Sequence, residues 1–407
     1  MPSTSRLAPD GRRLLAAAFV RNAAYSALSI ALGPYLEALG LGAAEIGWVF
    51  TAALAGSATM TVLVAAIADR VGRRRVLVAG AALMALGGAM FGVAASPALL
   101  AAAAVLAAIN PAGRELGPFL TVEMAALPQT TTDEGRTGAF AAYNVVGTLA
   151  VALGSLAAGL PALAGLEGLA AHRALVAAYA VAGLALVALF ARLTPAVEAP
   201  AAAPGGRRPG AWLGIHRSRR RVLGLSALFA LDAFGGGFIV QSLMAYWFAL
   251  RFGLDTATLG AIFFGANLSA AVSYFAAAPI ARRIGLLNTM VFTHLPSNGL
   301  LVLVAFMPTA ESAVAVLLLR FLCSQLDLPT RQSYLMAVVA PDERSAAAGL
   351  TGVARNVAYA VAPVFTSATL AVPALGLPFI LAGVIKGLYD VLLLFTFRRV
   401  KPPEELR

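Results

Sequence analysis

Apolar residues in this chain fall into about twelve runs, at 13–36, 44–67, 74–95, 98–126, 136–160, 172–192, 221–250, 257–281, 285–307, 312–340, 344–371 and 376–397. A helix of about 20 residues is roughly 30 Å long, which matches the hydrocarbon thickness of a bilayer. Water is absent there, so each run must satisfy its own backbone by closing into a helix. Composition agrees: 60% of residues are hydrophobic and only 12% are charged, too apolar for a soluble domain. The sequence therefore predicts an all-α integral membrane protein with twelve transmembrane helices.

Charge gives the orientation. Of the 30 Lys and Arg, six lie inside the runs: Arg21, Arg114, Arg320, Arg331, Arg355 and Lys386. If the N-terminus is cytoplasmic, Arg173 and Arg251 alone are external and the other 22 are cytoplasmic. The positive-inside rule then predicts both termini in the cytoplasm. This distribution, rather than a basic groove, accounts for the net charge of +11 and argues against nucleic-acid binding. The stretch Met1 to Arg13 is polar and basic with no small-residue cleavage site, so no cleavable signal peptide is expected. The strong Ala/Arg bias with two lysines suggests a GC-rich bacterial genome and hence the inner membrane. A lone Cys323 rules out a disulfide framework, and His172, His216 and His294 lack metal-ligand spacing. No nucleophile–base pair and no phosphate-cradling Gly-rich loop is present. Neither an enzyme nor a cofactor is expected.

The chain repeats. Shifting by 213 residues lays Gly40-Leu41 on Gly253-Leu254, Gly47 on Gly260, Ile67-Ala68 on Ile280-Ala281, Arg70 on Arg283 and Gly72 on Gly285. Further on the register slips, but Pro118 and Pro329 remain comparable, as do Asp133-Glu134-Gly135-Arg136 and Asp342-Glu343-Arg344. The longest non-apolar interval is rich in Pro and Gly early and basic late, which suits a cytoplasmic linker with a short surface helix around Trp212. Its basic part, Arg207–Arg221, anchors the topology and can touch anionic lipid. The expected division is therefore 1–193, a linker at 194–220, and 221–407: two six-helix pseudo-symmetric bundles. Repeats of this kind suit a carrier whose central site opens alternately to each side.

Between the second and third runs stands Ala65-Ala66-Ile67-Ala68-Asp69-Arg70-Val71-Gly72-Arg73-Arg74-Arg75. So short a charged segment between two spans must turn tightly, and Gly72 tolerates the positive φ that such a turn asks for. The D-R-x-G-R-R spacing resembles the loop signature of the major facilitator superfamily, with Ala65 where the family usually has glycine. The resemblance covers nearly the whole chain. It implies that spans one, four, seven and ten line the pathway, and that the loop forms a charge relay. In that relay Asp69 would reach a helix N-terminus in the second half, and Arg70 or Arg73 would reach an acid on span four, placed by depth at Glu123. Arg114 resembles the fourth-span arginine that the family links to proton coupling.

An ionisable group at membrane depth is costly unless paired or hydrated, so each one is a candidate for function. Span one offers Arg21 and Tyr25, and span four offers Arg114 and Glu115, the arginine near mid-helix. Asn144 lies on span five. Span seven offers Asp232, beside Gly235-Gly236-Gly237, and Gln241. Span ten offers Gln325, Asp327 and Arg331, the last two spaced for a local pair, with Pro329 between them. Arg355 is close enough to the cytoplasmic end to be a gate or to snorkel. Arg320 could snorkel outward, and Lys386 with Asp390, four apart, suits a structural pair. Asp232 has no arginine four residues away, which makes it the expected proton-coupling acid.

The function expected is a secondary active transporter working by alternating access. The arginine surplus suits a small anionic or zwitterionic organic solute, because guanidinium recognises carboxylate and phosphate bidentately. Protons are the expected coupling partner, through Glu115, Asp232 or Asp327, and export is favoured by analogy. The alternatives are a multidrug efflux antiporter, whose fifth-span Gly-Pro signature is missing, and a lipid flippase of the same fold. Partners are then a small-molecule substrate, protons and membrane lipid, with the protein acting as a monomer.

Overall fold

The computed structural model describes residues 8–115, 117–131, 136–198, 215, 217–340, 343–369 and 372–400. Its α-helices, in chain order, are α1 (Pro9–Ala38), α2 (Ala43–Val71), α3 (Arg73–Val93), α4 (Pro97–Leu106), α5 (Pro118–Ala126), α6 (Arg136–Ala157), α7 (Leu160–Leu163) and α8 (Gly168–Ala191). They continue as α9 (Arg219–Gly237), α10 (Gln241–Phe252), α11 (Thr256–Ile284), α12 (Leu286–Ala305), α13 (Ala310–Ser324), α14 (Asp327–Val338), α15 (Arg344–Thr369) and α16 (Leu377–Phe397). Nine stretches among the described residues are long and apolar enough to cross a membrane, one of them α9 and α10 taken together. The runs 98–126, 312–340 and 344–371 are occupied by α4 with α5, α13 with α14, and α15. The surface helix expected around Trp212 lies outside the described residues, as do Asp133, Glu134, Gly135 and Asp342.

Local chemistry sets the helix ends. Pro9, Pro97 and Pro118 open their helices at positions where a missing N–H costs nothing. Glu45 reaches back to accept the Gly42 N–H at 2.8 Å, and the Asp255 carboxylate accepts the N–H groups of Ala257 and Thr258 at 2.8 and 2.9 Å. The bond from the Thr258 N–H is the largest influence holding the Asp255 carboxyl below its usual range. At the start of α3, Glu198 accepts the N–H of Arg73 at 2.6 Å and of Arg74 at 3.2 Å.

The 213-residue repeat reappears in the backbone. Gly40 and Gly253 follow the ends of α1 and α10 with φ of 90° and 68°, and Gly72 and Gly285 precede α3 and α12 with φ of 108° and 86°. Both pairs occupy the left-handed region that favours glycine.

The chain gathers into two compact units, Met1–Pro204 with Val240–Phe264, and Gly205–Ile239 with Gly265–Arg407. In the first, α1 packs on α6, α8 and α10, α3 on α8, and α2 on α4. In the second, α9 packs on α15 and α16, and α12 on α16, α13 and α14. Lipid is as apolar as these helices, so close fit rather than the hydrophobic effect holds them together. At Gly183 a Cβ would lie 2.6 Å from the Ala85 nitrogen, and at Gly383 one would lie 2.8 Å from the Asn298 carbonyl.

Three spans expected as single helices are broken. The fourth stops at Leu106 and resumes at Pro118, after a stretch holding Pro111 and a left-handed Gly113 (φ 72°). Arg114 therefore stands in the break and not at mid-helix. The seventh stops at Gly237, after three successive glycines, and resumes at Gln241. The tenth stops at Ser324 and resumes at Asp327. Irregular backbone at membrane depth is tolerated only inside protein or along a wet cavity, so each break needs polar partners nearby.

Candidate functional site

Each unit contains its own buried ionic cluster. In the first it is built on Arg21 of α1, whose side chain is 0% exposed. Its two terminal nitrogens donate to both oxygens of Glu123 on α5, at 2.7 and 2.6 Å, while Nε lies 3.2 Å from Glu115 Oε2. Tyr143 of α6 also donates to Glu123, and Phe119 stacks under the guanidinium at 5.0 Å. One guanidinium thus serves two carboxylates. The break in span four makes this geometry, because the chain turns to present Glu115 and Glu123 to the same partner. Asn22, one residue along α1, accepts the Glu115 N–H at 2.9 Å, and Glu115 Oε1 accepts the Gly117 N–H at 2.7 Å.

The break in span seven is used by the same unit. Gln241, first residue of α10, donates to Ser29 of α1 at 2.8 Å, and Ser242 Oγ and N donate to the Pro111 carbonyl at 2.9 and 3.0 Å. Tyr25 is 2% exposed, with its ring 5.7 Å from that of Tyr179. Arg114 is half-buried and Asn144 is exposed.

In the second unit Asp232 of α9 collects cations. Lys386 of α16 lies at 2.5 Å, Arg331 of α14 at 2.7 Å, Arg355 of α15 at 3.6 Å and His294 of α12 at 3.9 Å. The expectation of an unpaired Asp232 is overturned: its partners come from other helices, where sequence spacing cannot display them. Asp327 and Arg331 form their local pair at 3.4 Å, but Arg331 is held more closely by Asp232. Lys386 does not pair with Asp390 as its spacing suggested. Asp390 instead takes His294 at 2.9 Å and Asn298 at 2.8 Å. Arg320 does not snorkel outward. It is 6% exposed, its Nε has no hydrogen-bond partner, and no carboxylate lies in ion-pair range among the described residues. Gln325, in the span-ten break, is half-buried and donates to Ser324 Oγ at 3.3 Å.

The loop after α2 is arranged differently from the expected relay. Asp69, 63% exposed, accepts from Arg73 Nε at 2.8 Å, one turn along the chain. Arg73 also donates to the carbonyls of Ala125 at 2.8 Å and Val197 at 3.3 Å, and Arg70 is exposed. Glu123 is not the acid of Arg70 or Arg73, because its whole carboxylate is committed to Arg21. The acid that caps a helix here is Glu198 on α3, as a carboxylate at a helix N-terminus should. Sequence reasoning missed Glu198, whose only signal is an acid ending a basic-flanked stretch. It also missed His294 with Asn298, which share a face at i, i+4.

Apolar helices long enough to cross a membrane, in two units each with a buried ionic cluster, define a polytopic α-helical membrane protein. The sequence profile of the Major Facilitator Superfamily matches residues 14–326, and the chain belongs to that family. The uncharacterized membrane protein YJR124C of Saccharomyces cerevisiae is 26% identical, covering 95% of this chain and 94% of its own length. Among solved structures, a bacterial homolog of the human lysosomal transporter Spinster superposes with a TM-score of 0.73 at 14% identity, covering 96% of each chain. The nucleoside transporter NupG gives 0.71 at 15%, covering 96% of this chain and 98% of its own. The D-xylose-proton symporter gives 0.70 at 14%, covering 94% and 97%. At these identities the likeness is one of fold.

Proposed function

We propose that this member of the superfamily is a secondary active transporter that moves a small anionic or zwitterionic organic solute by alternating access, driven by protons. The observation that carries the solute class is Arg320, a buried guanidinium that no carboxylate among the described residues approaches to ion-pair distance; Asp327 and Asp232 act on it only from further off, and their close contacts are Arg331 and Lys386. A permanent buried charge is costly unless something neutralises it, and an anionic solute supplies that charge. Arg114, half-buried in the break of span four, is the second candidate contact.

Proton coupling falls to Glu115. Protonating Asp232 would leave its three permanent cations short of a counter-charge, whereas Glu115 and Glu123 share one guanidinium, so one carboxyl there is in surplus. Glu123 takes both terminal nitrogens of Arg21 and the Tyr143 hydroxyl, whereas Glu115 meets the guanidinium only at Nε, at 3.2 Å, and is the less tightly held of the two. Export across a bacterial inner membrane by a monomer, with both termini cytoplasmic, completes the reading. Asp69, Arg70, Gly72 and Arg73 form its cytoplasmic gate.

A thermal-shift panel of carboxylates, phosphates, zwitterions and neutral solutes on detergent-purified protein tests the solute class, since a ligand of the folded state raises its melting temperature. Anions should stabilise the wild type and lose their effect in Arg320→Gln. Stabilisation by neutral solutes alone, or by anions equally in both proteins, sinks the anionic reading.

A further inference from the structure

Two helices of this chain open on a row of arginines, α3 on Arg73-Arg74-Arg75 and α9 on Arg219-Arg220-Arg221. Both starts are unfavourable in themselves, because the first turn is the positive end of the helix dipole and prefers an anion. At α3 the fold supplies one: Glu198 accepts the N–H groups of Arg73 and Arg74, the first two residues of the helix. At α9 the buried acid at hand is Glu343. Its oxygens accept the N–H groups of Arg217 at 2.6 Å and Ser218 at 2.9 Å, both ahead of the first turn. No acidic residue stands in that turn, and no side chain caps the N–H of Arg220 or Arg221 among the described residues.

A cavity of about 420 Å³ opens at this point of the second unit. Arg217, Ser218, Arg220 and Arg221 line one side, and the end of α14 lines the other. Arg221 spans the two, donating to the Val338 carbonyl at 3.2 Å. The side chains of Arg217 and Arg220 are exposed and form no hydrogen bond or ion pair among the described residues. Ser218 is 5% exposed. Its Oγ accepts the Ala340 N–H at 3.1 Å, while its own proton has no acceptor among the described residues. A buried donor left unused is costly, so this hydroxyl points to a missing acceptor.

Guanidinium, hydroxyl and the backbone of an uncapped helix start are together the donor set that holds phosphate. Charge narrows the class. Three lining guanidiniums against the carboxylate of Glu343 leave the site with an excess of two positive charges. A phosphate monoester carries about −1.5 to −2 at neutral pH, which a diester cannot match.

We propose that this cavity is a binding site for a phosphate monoester, carried by a lipid headgroup or by a soluble molecule, which caps α9 as Glu198 caps α3 and ties it to the end of α14. The site shares no residue with the buried ionic cluster of the second unit and does not rest on the transport reading.

Full-length protein purified in detergent serves both arms of the test. Native mass spectrometry with phosphatidic acid, and with phosphatidylglycerol as the diester control, reads the lipid arm. Thermal shift with glycerol 3-phosphate reads the soluble arm. At least one arm should show wild-type binding that weakens about tenfold or more in Arg217→Gln/Arg220→Gln. Arg282→Gln/Arg283→Gln removes the same charge from two exposed arginines at the end of α11 and should leave binding unchanged. Binding of phosphatidic acid alone places the phosphate on a headgroup, and binding of glycerol 3-phosphate alone places it on a soluble molecule. Failure of both probes to bind the wild type overturns the proposal. So does binding that survives Arg217→Gln/Arg220→Gln, equal binding of phosphatidylglycerol, or an equal loss in the two double variants. Should the first double variant fold poorly, Arg220→Gln alone is read against Arg283→Gln by the same criteria.

Discussion

Arg21 shows how much one side chain can carry at membrane depth. It closes two carboxylates from the other side of a broken span, and without it both are buried charges with no cation beside them. Arg21→Met should cost about 3–5 kcal/mol, read as loss of folded, monodisperse protein in detergent. Glu115→Gln is expected to behave oppositely. It keeps shape and the bond from the Gly117 N–H, and Glu123 still pairs Arg21, so folding should survive while solute accumulation under an imposed pH gradient disappears in proteoliposomes and solute exchange continues. Accumulation by Glu115→Gln at the wild-type rate would remove it as the proton carrier. Asp232→Asn should be destabilising rather than silent, because it leaves Lys386, Arg331 and Arg355 facing one another. A melting temperature within error of the wild type would show that the cations find other counter-charges.

At the scale of the element, helix ends and helix breaks divide the work. Asp255 caps α11 with two backbone bonds, and Asp255→Ala should lower stability by about 1 kcal/mol. Its carboxyl is held below the ordinary range, so this contribution is fully present above the unfolded-state value and is lost as pH falls through the folded-state value. The difference in melting temperature between wild type and variant should therefore narrow in acid; a constant difference would mean that the cap does not depend on ionisation. The breaks in spans four, seven and ten have the reverse character. They give up helical bonds: in span four Asn22 accepts the Glu115 N–H and Ser242 donates to the Pro111 carbonyl, and in span ten Thr330 donates to the carbonyls of Leu326 and Asp327. Three successive glycines announce the seventh in the sequence. The tenth has Pro329 in the first turn of α14, and the fourth has Pro111, Gly113 and Pro118. A run of apolar residues nevertheless reads as one helix by periodicity, because hydropathy cannot tell a helix from two helices and a turn.

At the scale of the molecule, orientation is the expectation most open to test. With Cys323 replaced by Ser, single cysteines at Arg75 and Glu167 should be labelled by a membrane-impermeant thiol reagent from opposite faces, Arg75 from the cytoplasm. Labelling of Arg75→Cys in intact cells would invert the topology.

The amino-acid pattern alone determined that the chain is a bundle of membrane-spanning helices, because lipid admits little else for apolar runs of this length. It also revealed the 213-residue repeat, whose glycines at 40, 72, 253 and 285 keep the same handed backbone, and the family, through the loop at Asp69–Arg75. Most residues of the candidate site were visible too, since a charge in an apolar run stands out wherever it is. Their partners were not. Spacing exposes pairs within one helix, such as Asp327 with Arg331, and at Lys386 and Asp390 it suggested a pair that does not form. Ion pairs such as Arg21 with Glu123, 102 residues apart, or Asp232 with Lys386, 154 apart, are chosen by packing between helices. The electrostatic strength of a buried group depends on those neighbours within a few ångströms, and only the tertiary structure supplies them.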